Sequence, residues 1–447
     1  MTSPRATVAV LCLVQFVDVL GVGTAITAIP AMISGLRLGE SAAGLIATMY
    51  AMFFGGLLIF GARLGDRFGH RRVLLIGIGL FVVVSVVGGS STGLVQLLIS
   101  RALQGSAAAI SVPSALRLLL EATPNRRNRD AGVAAWSAVG AAAGTIGLLV
   151  GGILTQTLGW PSVFWINAPV GAFLFVATLV VVPTLTPDRT ARGLDVAGAG
   201  LLIGAVMCVV LGASLSERAS TRVGGVGFLA GGILLTVAFL WRQRTARSPL
   251  IPPTALASRN LRLGAAISFT NTATTSGSSV LATLYLQDHL HASPLAAGLT
   301  ITALSVGAIA GSALSSRLAR SLTGDRRAVL GLSGIAVGNL MLVATFGLWW
   351  GIGVGAGAIG LGLGVASVAA TSIATSVPGE ISGSASGILN TGAQLGTALG
   401  TAALIVVAGT GGLGPISGFA AAWAIAVIGA AAAAVWVAFR KNGGVGV

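Results

Sequence analysis

The sequence is poor in charge: only 8% of its 447 residues are Asp, Glu, Lys or Arg, against about 25% in soluble domains. Hydrophobic residues make up 55% of the chain, and glycine contributes 66 residues. A chain of this composition cannot cover a water-facing surface, so we predict that it lies in a lipid bilayer. Its N-terminal residues run directly into a long apolar segment, so we expect no cleavable signal peptide.

Lysine and cysteine are also scarce. Lys441 is the only lysine, and the sequence has no G-x-x-x-x-G-K-[ST] nucleotide-binding loop, which excludes ATP-driven pumping by this chain alone. Cys12 and Cys208 lie in apolar runs, where core packing is favoured over a disulfide or a metal pair. No nucleophile, base and oxyanion constellation stands out, so we expect neither an enzyme nor a cofactor or metal. The dominance of arginine among the basic residues is typical of a GC-rich, bacterial genome.

Long apolar runs dominate what remains. A membrane helix needs about 20 mostly apolar residues, and fourteen segments satisfy that rule, which puts both termini on one side. A twelve-span alternative, with 195–241 on the membrane surface, is disfavoured because residues 199–215 carry no charge and no polar face. The predicted spans are 6–33, 42–61, 73–90, 95–120, 131–157, 162–185, 195–215, 224–241, 263–286, 295–316, 328–346, 349–375, 384–409 and 416–439.

The basic residues are distributed unevenly between the two sides of the predicted membrane. With this span count, segments on the side of the termini hold 22 of the 26 Lys and Arg residues. The opposite side holds only Arg37, Arg218 and Arg222, and Arg101 lies within a span. This bias predicts that both termini are cytoplasmic. It also explains the net charge of +15 as a topology signal, so we expect no nucleic-acid partner.

Residues 62–72 form a strongly charged stretch between two long apolar runs. An ordinary positive-inside loop would explain its arginines but not its ordered Leu, Asp and Gly positions. Gly65 and Gly69 are expected to let the backbone turn tightly. Asp66 can accept hydrogen bonds from arginines or from the N-terminus of a neighbouring helix.

This stretch resembles the signature loop between spans 2 and 3 of the major facilitator superfamily, roughly G-x-L-x-D-R-x-G-R-R. Ala62 stands where the first Gly is usual, and His70 where a basic residue is usual. The resemblance implies an alternating-access transporter in which this loop controls the change between inward-open and outward-open states. The positions that fit the pattern are Leu64, Asp66, Arg67, Gly69, Arg71 and Arg72.

A weak internal repeat indicates how the spans are grouped. Residues 63–66 recur loosely at 317–320, again after an even-numbered span. We therefore predict an all-α membrane fold of two six-helix bundles with pseudo-two-fold symmetry and an inserted helix pair, which resembles the fourteen-span branch of drug:proton antiporters. The predicted divisions are an N-terminal bundle at 1–190, an inserted pair at 191–245 and a C-terminal bundle at 246–447.

Two charged residues within spans are candidates for proton coupling. Asp18 is the one acid found deep within a span, where insertion costs about 2.5–3.5 kcal/mol. In the family an acid is common three residues later, where this chain has Gly21. Arg101 resembles the family's span-4 arginine, which is linked to proton transfer. Both residues lie roughly 9–12 Å below the outer face, so we predict that they face each other. The alternative is a structural ion pair that never titrates.

Span 5 carries five closely spaced glycines, at positions that fall on one helix face and would allow close contact with a neighbouring helix. The pattern resembles the exporter motif of the family, although Leu148 stands where Pro is expected. Generic small-residue packing would explain it equally. With the residues that follow, from Trp160 to Gly171, the pattern favours export over import. The five residues are Gly140, Gly144, Gly147, Gly151 and Gly152.

Weaker candidates are polar residues within spans, each of which could line a cavity or hydrogen-bond to another helix. Asp288, His289 and His291 cluster after span 9, where solvation is favoured over a metal site. The candidate cavity residues are Gln104, Asn271, Asn339, Asn390 and Gln394.

Together these features predict a secondary active exporter that exchanges protons for a drug-like or antibiotic organic molecule, without a cofactor and sufficient as a monomer. Asp18 would bind the proton and Arg101 would tune or relay it. A proton-coupled importer of a small solute remains the alternative within transport. A non-transporting membrane sensor or partner protein remains the alternative outside it.

Overall fold

In the computed structural model, the described residues are 4–39, 42–123, 126–184, 193–216, 221–251, 253, 257–376, 379–409 and 417–440. Over these residues the chain is helical and contains no β-strand. Fourteen helical crossings return the chain to its starting side, so Pro4 and Phe439 lie at one end of the bundle, which we call the terminal end. The other end is called the far end.

The fifteen helices described follow one another along the chain. Their bounds are α1 Pro4–Gly35, α2 Ala42–Phe68, α3 His70–Gly89, α4 Leu94–Ala122, α5 Arg126–Leu158, α6 Ser162–Trp165, α7 Asn167–Val181, α8 Val196–Ser216, α9 Arg222–Thr245, α10 Arg259–Leu284, α11 Pro294–Leu318, α12 Gly324–Ala344, α13 Trp349–Thr375, α14 Gly379–Gly409 and α15 Gly418–Phe439. A five-residue π-helical segment, Tyr285–His289, extends α10.

Thirteen helical stretches of the described chain are long and apolar enough to cross a membrane, with the short α6 and α7 counting as one span. The remaining predicted span is α10, whose 26 residues reach about 39 Å. Its Thr, Ser and Asn residues, concentrated between 268 and 279, lower its mean hydropathy below that of a typical span. Helix α10 nevertheless packs along α13, α14 and α15 inside the bundle. The fourteenth span is therefore a helix whose polar residues face the interior of the bundle rather than lipid.

The same pattern of helix contacts occurs twice. In the first half, α1 packs on α5, α2 on α4, and α3 on both α4 and α7. In the second half, α10 packs on α14, α11 on α13, and α12 on both α13 and α15. The halves meet along two seams, α2 with α14 and α5 with α11, which are equivalent under the same exchange. This repetition is the pseudo-two-fold symmetry that the sequence predicts, and we call α1–α7 the N-half and α10–α15 the C-half.

The helix pair α8 and α9 lies outside both halves. The two helices pack on each other, and α8 also contacts α2 and α14, so it covers one of the two seams. Much of α9 is exposed and apolar, including Val223, Ile233 and Leu234. In a bilayer this surface faces lipid.

Buried apolar residues show where the two halves are joined. The far-end cluster combines Ile29 and Ile46 of the N-half with Leu281, Tyr285 and Trp423 of the C-half. Towards the terminal end, one cluster lies within the N-half, around Leu11, Leu74 and Leu118, and another within the C-half, around Leu261, Leu332 and Ile373. The described structure is therefore closed by apolar packing at the far end.

Two predicted boundaries differ from the structure. Residues 62–68 belong to α2 rather than to a loop, and α3 begins at His70, so Gly69 alone separates the helices. Gly69 has φ of 93°, a conformation that glycine adopts without a steric penalty. Gly65 does not turn the chain: it is helical, and its missing side chain leaves room for the ring of His70. The predicted span 162–185 is divided at Ile166 into α6 and α7.

Candidate functional site

A cavity of about 350 Å³ lies between the two halves. Helices α1, α2, α4 and α5 form one wall, and α10, α11, α13 and α14 form the other. Apolar residues dominate the N-half wall, including Val19, Val22 and Ile26. The lining reaches the far-end cluster at Ile29 and Ile46, so apolar side chains close the cavity on that side.

Asp18, Tyr50 and Arg101 meet at the N-half wall of this cavity. The hydroxyl of Tyr50 donates a hydrogen bond to Oδ1 of Asp18. The guanidinium carbon of Arg101 lies 4.8 Å from the centroid of the Tyr50 ring, a cation–π contact. All three residues are at least nine-tenths buried. We refer to them as the buried triad.

Arg101 is positioned by a chain of buried hydrogen bonds behind the triad. Its Nη1 donates to Oε1 of Gln104 at 3.2 Å, and Nε2 of Gln104 donates to Oγ of Ser85 at 2.8 Å. Ser85 is also within 3.5 Å of Nδ2 of Asn167. The chain connects α4, α3 and α7, so the orientation of Arg101 is tied to three helices of the N-half.

The structure places Asp18 and Arg101 together, as their similar depth predicts, but through Tyr50 rather than in direct contact. Sequence reasoning missed Tyr50, which lies eight residues, or about 12 Å, into α2. Arg101 lies seven residues, or about 10 Å, into α4, which runs in the same direction. The similar depth of Tyr50 and Arg101, and the presence of only two tyrosines in the chain, could have identified Tyr50.

A second, smaller cavity of about 20 Å³ touches Asp18 from the side away from the C-half. Val14, Ile78, Phe81 and Ser111 contribute to its lining. A space of this size holds about one water molecule. Asp18 therefore borders two spaces, the cavity between the halves and a water-sized space within the N-half.

Four of the five span-5 glycines lie against α1. A Cβ at Gly147 or Gly151 would meet the backbone of α1 at Leu20 or Thr24, whereas Gly140 and Gly144 face side chains. Gly152 instead faces α11 at Pro294 and Leu295. The C-half contains an equivalent contact that the sequence analysis did not single out, in which Gly396 and Gly400 of α14 lie against the backbone of α10.

The structure places the five polar cavity candidates in different environments. Gln394 lines the central cavity. Asn271 donates to Oγ of Ser367 at 2.8 Å, and Asn339 is bonded to Ser278 and to its own helix, so these amides join helices of the C-half instead. Gln104 supports Arg101, as described above, and Asn390 is exposed outside the cavity lining. The sequence left both roles open for each residue, because position along a span does not specify which side of a helix faces the cavity.

The charged stretch at the terminal end makes contacts that differ from those expected for Asp66. Oδ1 of Asp66 lies 3.0 Å from Nε2 of His70, one helical turn later, rather than bonding an arginine. Arg71 donates to the carbonyl of Leu179 at 2.6 Å and to Oγ1 of Thr184 at 2.8 Å. Arg67 lies 5.7 Å from the ring of its neighbour Phe68. This stretch therefore connects α2 and α3 with the end of α7.

Arg63 makes the largest set of contacts in this stretch, and sequence reasoning gave it no separate role. Its guanidinium donates to the carbonyls of Gly193, Ser248, Pro249 and Leu250, at 3.2, 3.3, 2.6 and 3.1 Å. Those carbonyls flank the α8–α9 pair in sequence. We call these four contacts the Arg63 cradle.

The ends of the α8–α9 pair are also joined directly. Nε of Arg242, near the end of α9, donates to Oδ1 of the buried Asp195 at 2.8 Å. The same carboxylate oxygen accepts from the backbone of Gly198 at 3.0 Å.

The cluster after span 9 is partly buried in aromatic packing. His289 stacks on Tyr285, with ring centroids 5.3 Å apart, and meets Phe419 edge-on at 4.9 Å. Among the described residues, no group of three or more His, Cys, Asp or Glu is arranged to hold a metal ion.

Comparison with known proteins finds relatives that are named for resistance or export. The chain is 34% identical over 274 residues to the tetracenomycin C resistance and export protein of Streptomyces glaucescens, covering 60% of this chain and 50% of the relative. It is 35% identical over 257 residues to the cephamycin export protein CmcT of Amycolatopsis lactamdurans, covering 56% and 53%. The chain thus matches about half the length of these curated relatives.

The fold is also found in solved structures. A POT family transporter in complex with 5-aminolevulinic acid superposes with a TM-score of 0.72 at 14% identity, over 96% of this chain and 95% of that one. The sequence profile of the Major Facilitator Superfamily matches residues 11–194, 171–401 and 263–444. The repeated helix packing, the cavity between the halves and this match agree: the chain belongs to the Major Facilitator Superfamily.

Proposed function

We propose that this protein is a secondary active exporter that exchanges protons for drug-like or antibiotic organic molecules by alternating access. The observation that carries the proposal is the position of Asp18, a buried carboxyl group that borders both the central cavity and a water-sized space. A carboxyl group in that position can exchange a proton with one space while a substrate occupies the other. The relatives named for antibiotic export or resistance support the direction of transport.

Arg101 and Tyr50 would set the proton affinity of Asp18. Tyr50 donates to the carboxylate, and Arg101 adds a positive charge over the tyrosine ring. A substrate or a rocking movement that separates α1 from α2 or α4 would remove part of this stabilisation. Proton release and the conformational change would then be coupled through the triad.

The terminal end would face the cytoplasm of a bacterial cell, as the distribution of arginines indicates. The far-end packing would then correspond to an inward-facing state, in which the substrate enters from the cytoplasm or the inner leaflet. Residues 62–72 would control the transition to the outward-facing state. Energy would come from the proton gradient without a cofactor, and one chain would be sufficient.

Proton movement in everted membrane vesicles tests this function. The vesicles would be energised, given a panel of antibiotics, lipophilic cations and neutral organic compounds, and monitored for internal pH by dye fluorescence. We expect at least one compound to release protons in the wild type and none to do so with Asp18→Asn. Asp325→Asn is the matched control, because it removes an acid at the start of α12, outside the cavity lining.

Three results would contradict the proposal in different ways. No response to any compound would remove support for proton-coupled export. A response that survives Asp18→Asn would show that another group carries the proton. Gradient-dependent uptake of a solute into intact cells would favour the importer.

A further inference from the structure

The C-half wall of the central cavity carries a set of hydroxyl groups, which we call the hydroxyl wall. They come from three helices, α10, α11 and α14, and the Gln394 amide lies beside them. The wall consists of Thr275, Ser276, Ser279, Ser305, Thr397 and Thr401. The N-half wall opposite is chiefly apolar apart from the buried triad.

These hydroxyls differ from others on the same helices. A serine or threonine inside a helix commonly donates to the carbonyl three or four residues earlier. Thr274 does so, to Thr270 at 2.9 Å, and Ser278 does so, to Thr274 at 2.8 Å. Within the hydroxyl wall, Ser276 and Thr397 bond to each other at 3.2 Å and to no other residue that the structure describes.

The remaining four hydroxyls of the wall make no hydrogen bond to any residue that the structure describes. Oγ1 of Thr401 is fully enclosed by protein atoms, so the hydroxyls that a ligand in the cavity can reach are those of Thr275, Ser279 and Ser305. A buried hydroxyl without a partner is unfavourable unless something in the cavity satisfies it. The wall therefore holds hydrogen-bonding capacity that the protein itself does not use.

The charges of the cavity argue against a cation as the preferred ligand. Among the described residues that line it, Asp18 and Arg101 are the charged ones, and their charges are opposite. Asp18 is already bonded to Tyr50, and Arg101 lies against the same ring. A cationic ligand approaching Asp18 would meet the positive charge of Arg101, so the cavity as a whole offers no excess negative charge.

We propose that the transported molecules are neutral, oxygen-rich amphipathic compounds, bound with an apolar face against the N-half and with hydroxyl or carbonyl oxygens on the hydroxyl wall. This inference rests on the proposed export function and specifies the substrate class of the same cavity. Thr275, Ser279 and Ser305 are the specificity-determining residues. In this arrangement the N-half binds the proton and the C-half recognises the substrate.

Binding to the full-length protein in lipid nanodiscs tests the inference. The probes are radiolabelled hydrocortisone and chloramphenicol, which are neutral and oxygen-rich, and tetraphenylphosphonium, a cation that cannot hydrogen-bond. We expect the neutral probes to bind more tightly than the cation. The triple variant Thr275→Val, Ser279→Ala, Ser305→Ala should weaken neutral-probe binding by roughly tenfold or more, since each lost hydrogen bond costs a few-fold in affinity, and leave the cation unchanged.

Thr274→Val is the matched control, because it replaces a neighbouring hydroxyl that bonds only within its own helix. Tighter binding of the cation, no binding of either neutral probe, or neutral-probe binding that the triple variant leaves intact would overturn the inference. Each of these results leaves export standing if the vesicles still release protons through Asp18. If the vesicles respond to no compound, it is the proposed function that fails.

Discussion

The two walls of the central cavity are built by equivalent helices but differ in chemistry. In the N-half, the polar groups are already engaged with one another: Tyr50 donates to Asp18, and Arg101 packs on Tyr50. In the C-half, hydroxyls such as those of Thr275 and Ser279 have no partner among the described residues. A repeated fold has thus kept its helix packing while its two copies differ in which polar groups remain available to a ligand.

Reversing the charges of the N-half wall should have the largest effect. Asp18→Arg and Arg101→Asp should each reduce proton-coupled transport by about a hundredfold or more, since a buried charge left without its partner costs about 3–5 kcal/mol. The double swap should recover part of the loss, although Tyr50 will then face the opposite neighbours. Drug-induced proton release in vesicles measures all three. A swap as inactive as both single variants would show that the two charges do not act as a pair.

The glycine contacts test whether the two halves are equivalent as scaffolds. Gly151→Ala in α5 and Gly400→Ala in α14 place a methyl group against backbone of α1 and α10, respectively. We expect each to lower the free energy of unfolding by about 1–3 kcal/mol, measured as a loss of thermal stability in detergent. Gly144→Ala is the control, because a Cβ there meets only ordinary contacts. Equal tolerance of all three would contradict the close packing.

Tyr50 separates the two charges of the triad and can be dissected by two substitutions. Tyr50→Phe keeps the ring under Arg101 but removes the hydrogen bond to Asp18, so we expect transport to fall by roughly tenfold. Tyr50→Leu removes the cation–π contact as well and should lower it further. Both proteins should still bind neutral ligands at the hydroxyl wall. Unchanged transport with Tyr50→Phe would mean that the tyrosine only fills space.

The Arg63 cradle should give the smallest of these effects. Arg63→Lys retains the charge but loses the planar fork that reaches several carbonyls at once, so we expect a loss of about 1–2 kcal/mol in stability. Protease sensitivity of the linker at 246–251 measures the release of this segment. Arg72→Lys, on the next helix, provides a conservative control outside the cradle. Equal sensitivity in both variants and the wild type would show that the cradle does not hold the linker.

The fold was largely predictable from the sequence because span length and arginine distribution can be read from short stretches of the chain. The depth of Asp18 and of Arg101 was readable for the same reason, since rise per residue is fixed in a helix. Tyr50 was missed because an aromatic residue in an apolar run is ordinarily explained by packing. Asn339 and Asn271 could not be assigned between cavity lining and an interhelical hydrogen bond, because helix rotation depends on neighbours that only the folded chain defines.

The Arg63 cradle was beyond sequence reasoning for a further reason. Its carbonyl partners lie 130 to 187 residues away along the chain, and a backbone carbonyl has no sequence signature. The helical character of residues 62–68 was missed for a different reason: a charged stretch between two spans is usually a loop. Gly69 is the one residue whose identity marks the true boundary.

The position of α8 gives the protein two unlike sides in the plane of the membrane. Helix α8 covers the seam between α2 and α14, whereas no helix outside the two halves, among those described, packs on the seam between α5 and α11. We expect a membrane-dissolved molecule to enter laterally at the open seam. A bulky Ile309→Trp on the exposed surface of α11 should slow transport of a lipophilic dye from the bilayer, and Val226→Trp on α9 should not. Equal rates would mean that such molecules enter from the water instead.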